Sequence, residues 1–134
     1  MSSSLTNGSQ YELVTQNVAD LALNTSPLQT TNFQVLFSET PYTGDVLINE
    51  FLCDETPSVG LPEAEYVELF NASQKIFHLQ GWKIGDASGF GTIQNGWMYP
   101  GEYKVLCASA YEAYFTNASM VTSFPSFNNA GDNI

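Results

Sequence analysis

The stretch Glu65-Tyr-Val-Glu-Leu-Phe-Asn71 decides the fold. Val67 and Leu69 lie two residues apart, the period of a strand whose alternate side chains share one face. The β-branched and aromatic side chains around them suit a pleated, half-buried surface better than a helix. Glu65 and Glu68 cannot both lie on the opposite face, so alternation specifies the register only in part. Working outward, similar short runs recur between turn-formers: 45–52, 32–37 and 11–18 on one side, 75–79, 82–84, 91–93 and 103–108 on the other. Asp54 to Glu63 forms a Pro/Gly loop, and turns fall at 85–89, Asn95-Gly96 and Pro100-Gly101. A turn about every ten residues is the signature of an all-β chain. Only Ser109 to Phe115 reads as helix, one or two turns long, with Ser109 as N-cap and Glu112 at N3 completing a capping box.

The composition bounds the function. The 134 residues carry fourteen carboxylates against three lysines and no arginine, a formal net charge of −11. Affinity for a phosphate backbone needs many Lys or Arg to release counterions, so nucleic acid is excluded as a partner. An anionic membrane surface is excluded on the same ground. With 43 % hydrophobic and 13 % aromatic residues the chain nonetheless has the means to fold. No run approaches the ~18 apolar residues of a membrane span, and Met1 to Gln10 lacks the basic and apolar regions of a secretory leader. One histidine and two cysteines do not make a tetrahedral zinc site, which takes about four such ligands. Cys53 and Cys107, 54 positions apart, leave both a disulfide and free thiols open.

Beyond the breaker Thr40 to Gly44 the order of motifs resembles a lamin-tail domain of the kind found in bacterial surface proteins. The matching blocks are Val46 to Glu50, Glu65 to Ser73, Leu79 to Ile84 with Asp86, Tyr99 to Cys107, and Phe127 to Asp132. The resemblance implies an immunoglobulin-like β-sandwich over 45–134, lacking its last strands, with a short linker at 40–44. It also implies an extracellular or cell-surface location beside other domains of a larger protein. Nuclear lamin function is not implied, since no heptad rod, basic run or prenylation box is present. Residues 1–39 resemble an N-terminal tail followed by the closing strand pair of a bacterial Ig-like domain, with Asp20 and Asn24 making the turn.

The chemistry-bearing residues are few. Glu50 and Glu68 occupy the family's paired acidic positions; they read as an acid/base or ion-holding pair, or, by preference, as carboxylates taking hydrogen bonds at strand ends. Asp54, Glu55, Glu63 and Asp86 are candidate Ca²⁺ ligands, although they do not follow the twelve-residue calcium-loop pattern. Trp97 and Tyr99 are candidates for stacking on a sugar or peptide. His78, between Phe77 and Leu79, is expected on the exposed side of a core strand, and no nucleophile turn accompanies it. The preferred function is therefore a non-catalytic module, not an enzyme, that spaces, docks or tethers domains of an exported protein through those domains or another chain. A calcium- or carbohydrate-binding module and part of an extracellular hydrolase are the alternatives. The expected core is Val46, Ile48, Val67, Leu69, Trp82, Ile84, Leu106 and Val105, with one of the last two facing a second layer.

Overall fold

The computed structural model describes residues 4–53, 60, 62–86 and 89–127, which divide into two compact units, 1–37 and 38–134. In the first unit, β1 (Gln10–Thr15) and β2 (Gln29–Gln34) form an antiparallel ribbon with Tyr11 opposite Phe33 and Leu13 opposite Thr31. Residues directly opposite point to the same side, so Tyr11, Leu13 and Phe33 share a face, and the Tyr11 and Phe33 rings stack at 5.9 Å. Asp20 and Asn24 do make the turn between the strands. One Asp20 oxygen accepts from the Ala22 and Asn24 amides, and the other from the Asn24 side chain, all at 2.9 Å. β2 begins and ends three residues earlier than the expected run 32–37. Val35 leaves the ladder to exchange backbone hydrogen bonds with Gly8 and Ser9.

The second unit is two-layered. Its main sheet has the order β3-β4-β9-β10-β7-β6, built from β3 (Val46–Leu52), β4 (Tyr66–Asn71), β9 (Tyr103–Ala108), β10 (Ala118–Thr122), β7 (Phe90–Ile93) and β6 (Lys83–Gly85). Neighbours are antiparallel except β9 and β10, which run parallel and are joined through a 3₁₀ helix, Ser109–Tyr114. Over the sheet lies a short pair, β5 (Phe77–His78) with β8 (Trp97–Met98). Val67, Leu69, Leu106, Val121, Ile93 and Ile84 from the main sheet meet Phe77, Leu79 and Met98 from this lid in one core. Burial of a large aliphatic or aromatic side chain stabilises by roughly 1.5–3 kcal/mol, so this interdigitation is what makes the unit cohere. The all-β, immunoglobulin-like sandwich expected from the sequence is the architecture found.

Buried polar groups fix the chain path. Asn71, fully buried, donates to the Lys75 carbonyl at 2.8 Å and accepts from the Ser73 amide and hydroxyl at 3.0 and 2.8 Å, which locks the turn from β4 into β5. Lys104 runs its aliphatic stem through the core margin and delivers its ammonium to Asn117 and to Glu102, 3.3 Å away. Residues 38–45 are tied to the same unit. Glu39 exchanges hydrogen bonds with Ile76, and the Lys75 ammonium reaches Asp45 at 2.6 Å, the Thr40 carbonyl at 3.3 Å and the Tyr42 ring at 4.0 Å.

Two expectations need correction. The capping box does not form: β9 runs through Ala108, which becomes the N-cap, so Ser109 is already inside the helix and its hydroxyl makes no cap bond. Ile48 is 44 % exposed, and Val46 and Trp82 are only half-buried, because they border an opening in the sheet. Val105 is half-buried on the face opposite Leu106, as strand alternation requires.

Candidate functional site

The opening lies between the two ends of the main sheet. β3 supplies Val46 and Ile48 to one wall; β6 supplies Lys83, Ile84 and Gly85 to the other; Leu69, Ile93, Leu106 and Trp82 close the interior. The cavity is about 230 Å³. Val46 and Ile48 reach it because they sit opposite Asn71 and Leu69 in the register, on the core side of the sheet. A bulge between Ile48 and Glu50 then shifts the rest of β3. Gly81, at φ +85°, turns the chain so that Trp82 and β6 come up beside β7. Lys83 places its ammonium over the Phe90 ring at 3.8 Å, so its stem borders the cavity while its charge lies against an aromatic face. Among the described residues neither β3 nor β6 has a second partner strand, and each end of the sheet presents unpaired backbone N–H and C=O groups.

The carboxylates Glu50 and Glu68 do come together, as direct partners across β3 and β4. Two like charges in that relation repel, and each is held by a neutral donor. The Tyr66 hydroxyl donates to Glu50 at 2.6 Å, and the Asn49 amide donates to Glu68 at 2.7 Å. Burial beneath Phe115, whose ring lies 5.2 Å away, and then the two carboxylates push the Tyr66 hydroxyl up to about 12. It therefore stays protonated and acts as a donor. The arrangement matches strand carboxylates taking hydrogen bonds.

The remaining candidates are dispersed. Asp54 and Glu55 lie outside the described residues. Asp86 accepts from the Gly89 amide at 3.1 Å, closing its own turn, and Glu63 precedes the buried Ala64 at the entry to β4. Among the described residues no group of three or more His, Cys, Asp or Glu is placed to hold a metal ion. Trp97 is half-buried with its ring stacked on His78 at 4.6 Å, and the His78 amide donates to the Ser38 hydroxyl. Tyr99 is half-buried, its amide donating to Glu102 at 2.6 Å. Cys53 and Cys107 are both free. Leu52 lies opposite Tyr66 and Tyr66 opposite Cys107, so the cysteines are separated by two strand spacings of ~4.8 Å, beyond the ~7 Å limit for a disulfide. Burial raises the Cys107 thiol to about 11, aided by Glu112, which makes it inert.

The order of strands, the two-layer core and the carboxylate pair on β3 and β4 all fall in the region that a family comparison singles out. The profile of the Lamin Tail Domain matches residues 39–134. The chain belongs to the lamin-tail domain family. No curated protein and no solved structure matches it. Membership accounts for the immunoglobulin-like fold of the second unit and is compatible with a non-catalytic module. Sequence reasoning expected a sandwich lacking strands but did not place an opening between β3 and β6. Val46, Ile48 and Trp82 carry ordinary core patterning, and nothing in their spacing signals that a neighbour is missing.

Proposed function

We propose that this lamin-tail domain is a non-catalytic docking and spacing module of a larger exported or cell-surface bacterial protein, and that it accepts an extended segment between β3 and β6. The observation that carries the reading is the pair of unpartnered strand edges flanking an apolar opening. A segment added to a sheet edge gains affinity from main-chain hydrogen bonds and specificity from pockets that take alternate side chains. Both elements are present here. The hydrolase alternative has less support, because Glu50 and Glu68 are each engaged with a neutral donor and among the described residues no third group orients a substrate between them. The partner is another domain of the parent protein or another chain. Placing a photo-crosslinking residue at position 48, and separately at 83, in the parent protein tests the reading. Capture of one and the same segment from both positions is the expected result; no capture, or unrelated captures from the two sites, would overturn it.

A further inference from the structure

Resting on that docking reading, we infer that the segment received between β3 and β6 is the β1–β2 ribbon of a second copy of this chain, exchanged reciprocally in a twofold dimer. The opening specifies the shape of its occupant. β3 is a seven-residue edge whose stretch before the bulge templates an extended strand, and the apolar wall behind Val46 and Ile48 takes alternate apolar side chains. β6, at three residues, contributes wall rather than template.

The ribbon has the complementary form. Its strands are six residues long, every residue of β2 is exposed, and the face carrying Tyr11, Leu13 and Phe33 leaves Leu13 54 % and Phe33 40 % exposed. A two-stranded ribbon on its own is marginal in water, so it gains from an added strand and from covering that face. Each chain thus carries one uncovered apolar ribbon and one unfilled opening.

Charge selects the ribbon among the parts of a second copy. Residues 38–134 hold twelve of the fourteen carboxylates and all three lysines, whereas Glu12 and Asp20 are the only charged residues of 1–37. Docking the acidic unit of one copy onto the acidic unit of another is strongly repelled, and docking the ribbon, which carries two carboxylates, is repelled far less. A ribbon-to-opening contact made twice closes on itself under a twofold axis, which prevents growth into a filament.

The test uses the full chain and size-exclusion chromatography with light scattering over a range of concentrations. Wild type should be a dimer that dissociates on dilution. Ile48→Glu in the opening and Phe33→Asp on the ribbon should each give a monomer where wild type is dimeric. Both residues are at least 40 % exposed in the single chain, so each variant should retain the wild-type cooperative melt of the second unit. Leu13→Asp replaces Phe33→Asp should that variant fail to fold. Leu47→Glu, whose cross-strand partner is Phe70 on the far face from the opening, should leave the dimer intact. The deciding arm is the equimolar mixture of Ile48→Glu and Phe33→Asp chains. One sound ribbon then meets one sound opening, and association should return, weakened more than about tenfold by loss of the second contact. A wild-type chain that stays monomeric, a dimer that survives both substitutions, or a mixture that fails to associate overturns the inference. Crosslinks from positions 48 and 83 to a segment other than 1–37 would overturn it while leaving the docking reading standing.

Discussion

β2 and β4 are both six residues long and both pair antiparallel along their length, yet every residue of β2 is exposed while four of the six in β4 are buried. The two differ in composition: β2, Gln-Thr-Thr-Asn-Phe-Gln, has Phe33 as its one large apolar residue, whereas β4, Tyr-Val-Glu-Leu-Phe-Asn, has Tyr66, Val67, Leu69 and Phe70. They differ as well in their surroundings. β4 has β3 on one side, β9 on the other and the β5–β8 lid above it, whereas among the described residues β2 pairs with β1 alone. Strand formation is thus a matter of backbone pairing, and burial a matter of apolar side chains together with how many sides are occupied. β3 falls between the two: paired with β4 along one edge, open along the other, and exposed at five of seven positions.

The largest effect expected from this contrast is in paired truncations. Leu106→Ala, at a fully buried site, should cost about 2–5 kcal/mol in the unfolding of the second unit. At a dilution where the chain is a single copy, Phe33→Ala should leave that transition within about 0.5 kcal/mol of wild type. Urea unfolding followed by tryptophan fluorescence reads the right transition, because Trp82 and Trp97 both lie in residues 38–134. Similar costs for the two substitutions would break the comparison. Next in size is Asn71→Ala, which strands the Lys75 carbonyl and the Ser73 amide and should cost roughly 2–3 kcal/mol in the same assay. Ser119 sharpens the point from the other direction. Its hydroxyl is buried without a hydrogen-bond partner, pressed against Gly96, where an added Cβ would lie 2.3 Å from it. Ser119→Ala should therefore raise stability, by about 1 kcal/mol.

Two pH effects are smaller. The Lys75 ammonium, followed by the Tyr42 amide, holds the Asp45 carboxyl below its ordinary range. A depressed carboxyl stabilises above its unfolded value and loses that contribution as pH falls through the folded one. Asp45→Asn should flatten the acid limb of a melting-temperature profile below about pH 4. Tyr66 works at the alkaline end, where its raised value means a contribution present below about 10 and lost as pH rises through about 12. Glu50→Gln should lower the Tyr66 value only part of the way, because burial is the larger cause. Ring-labelled tyrosine NMR measures it, and a return to the free-tyrosine value would contradict the assigned cause.

Much of the sandwich was legible because its strands advertise themselves. Val67 and Leu69 alternate, Tyr103 to Ala108 was read with the bounds the structure has, and the family blocks fall on β3, β4, β6 and β9. β10 was not legible, although it is the central strand joining β9 to β7. Ala118, Ser119 and Met120 carry no β-branched or aromatic signal, Val121 and Thr122 alone are too short a run to read as a strand, and the strand exists because parallel pairing to β9 and antiparallel pairing to β7 supply both edges. A further cue was Asn117, a residue type that tolerates the left-handed turn it makes at φ 60°. The carboxylate pair was legible as a pair, but its neutral donors, Tyr66 and Asn49, depend on the bulge in β3 and were not. The position of the docking edge was not legible for a simpler reason: a sequence shows which side chains want cover, and not which of them lack it.

Amide hydrogen exchange on the full chain, at a dilution where it is a single copy, tests the central claim most directly. The account predicts that Val67, Leu69 and Leu106 exchange only through global opening, while the amides of β2 and those on the open edge of β3 exchange faster by orders of magnitude. It also predicts that raising the concentration slows exchange at β2 and at the β3 edge together. Protection of β3 and β2 equal to that of β4, already present at high dilution, would show that both edges are satisfied within one chain and would contradict the account.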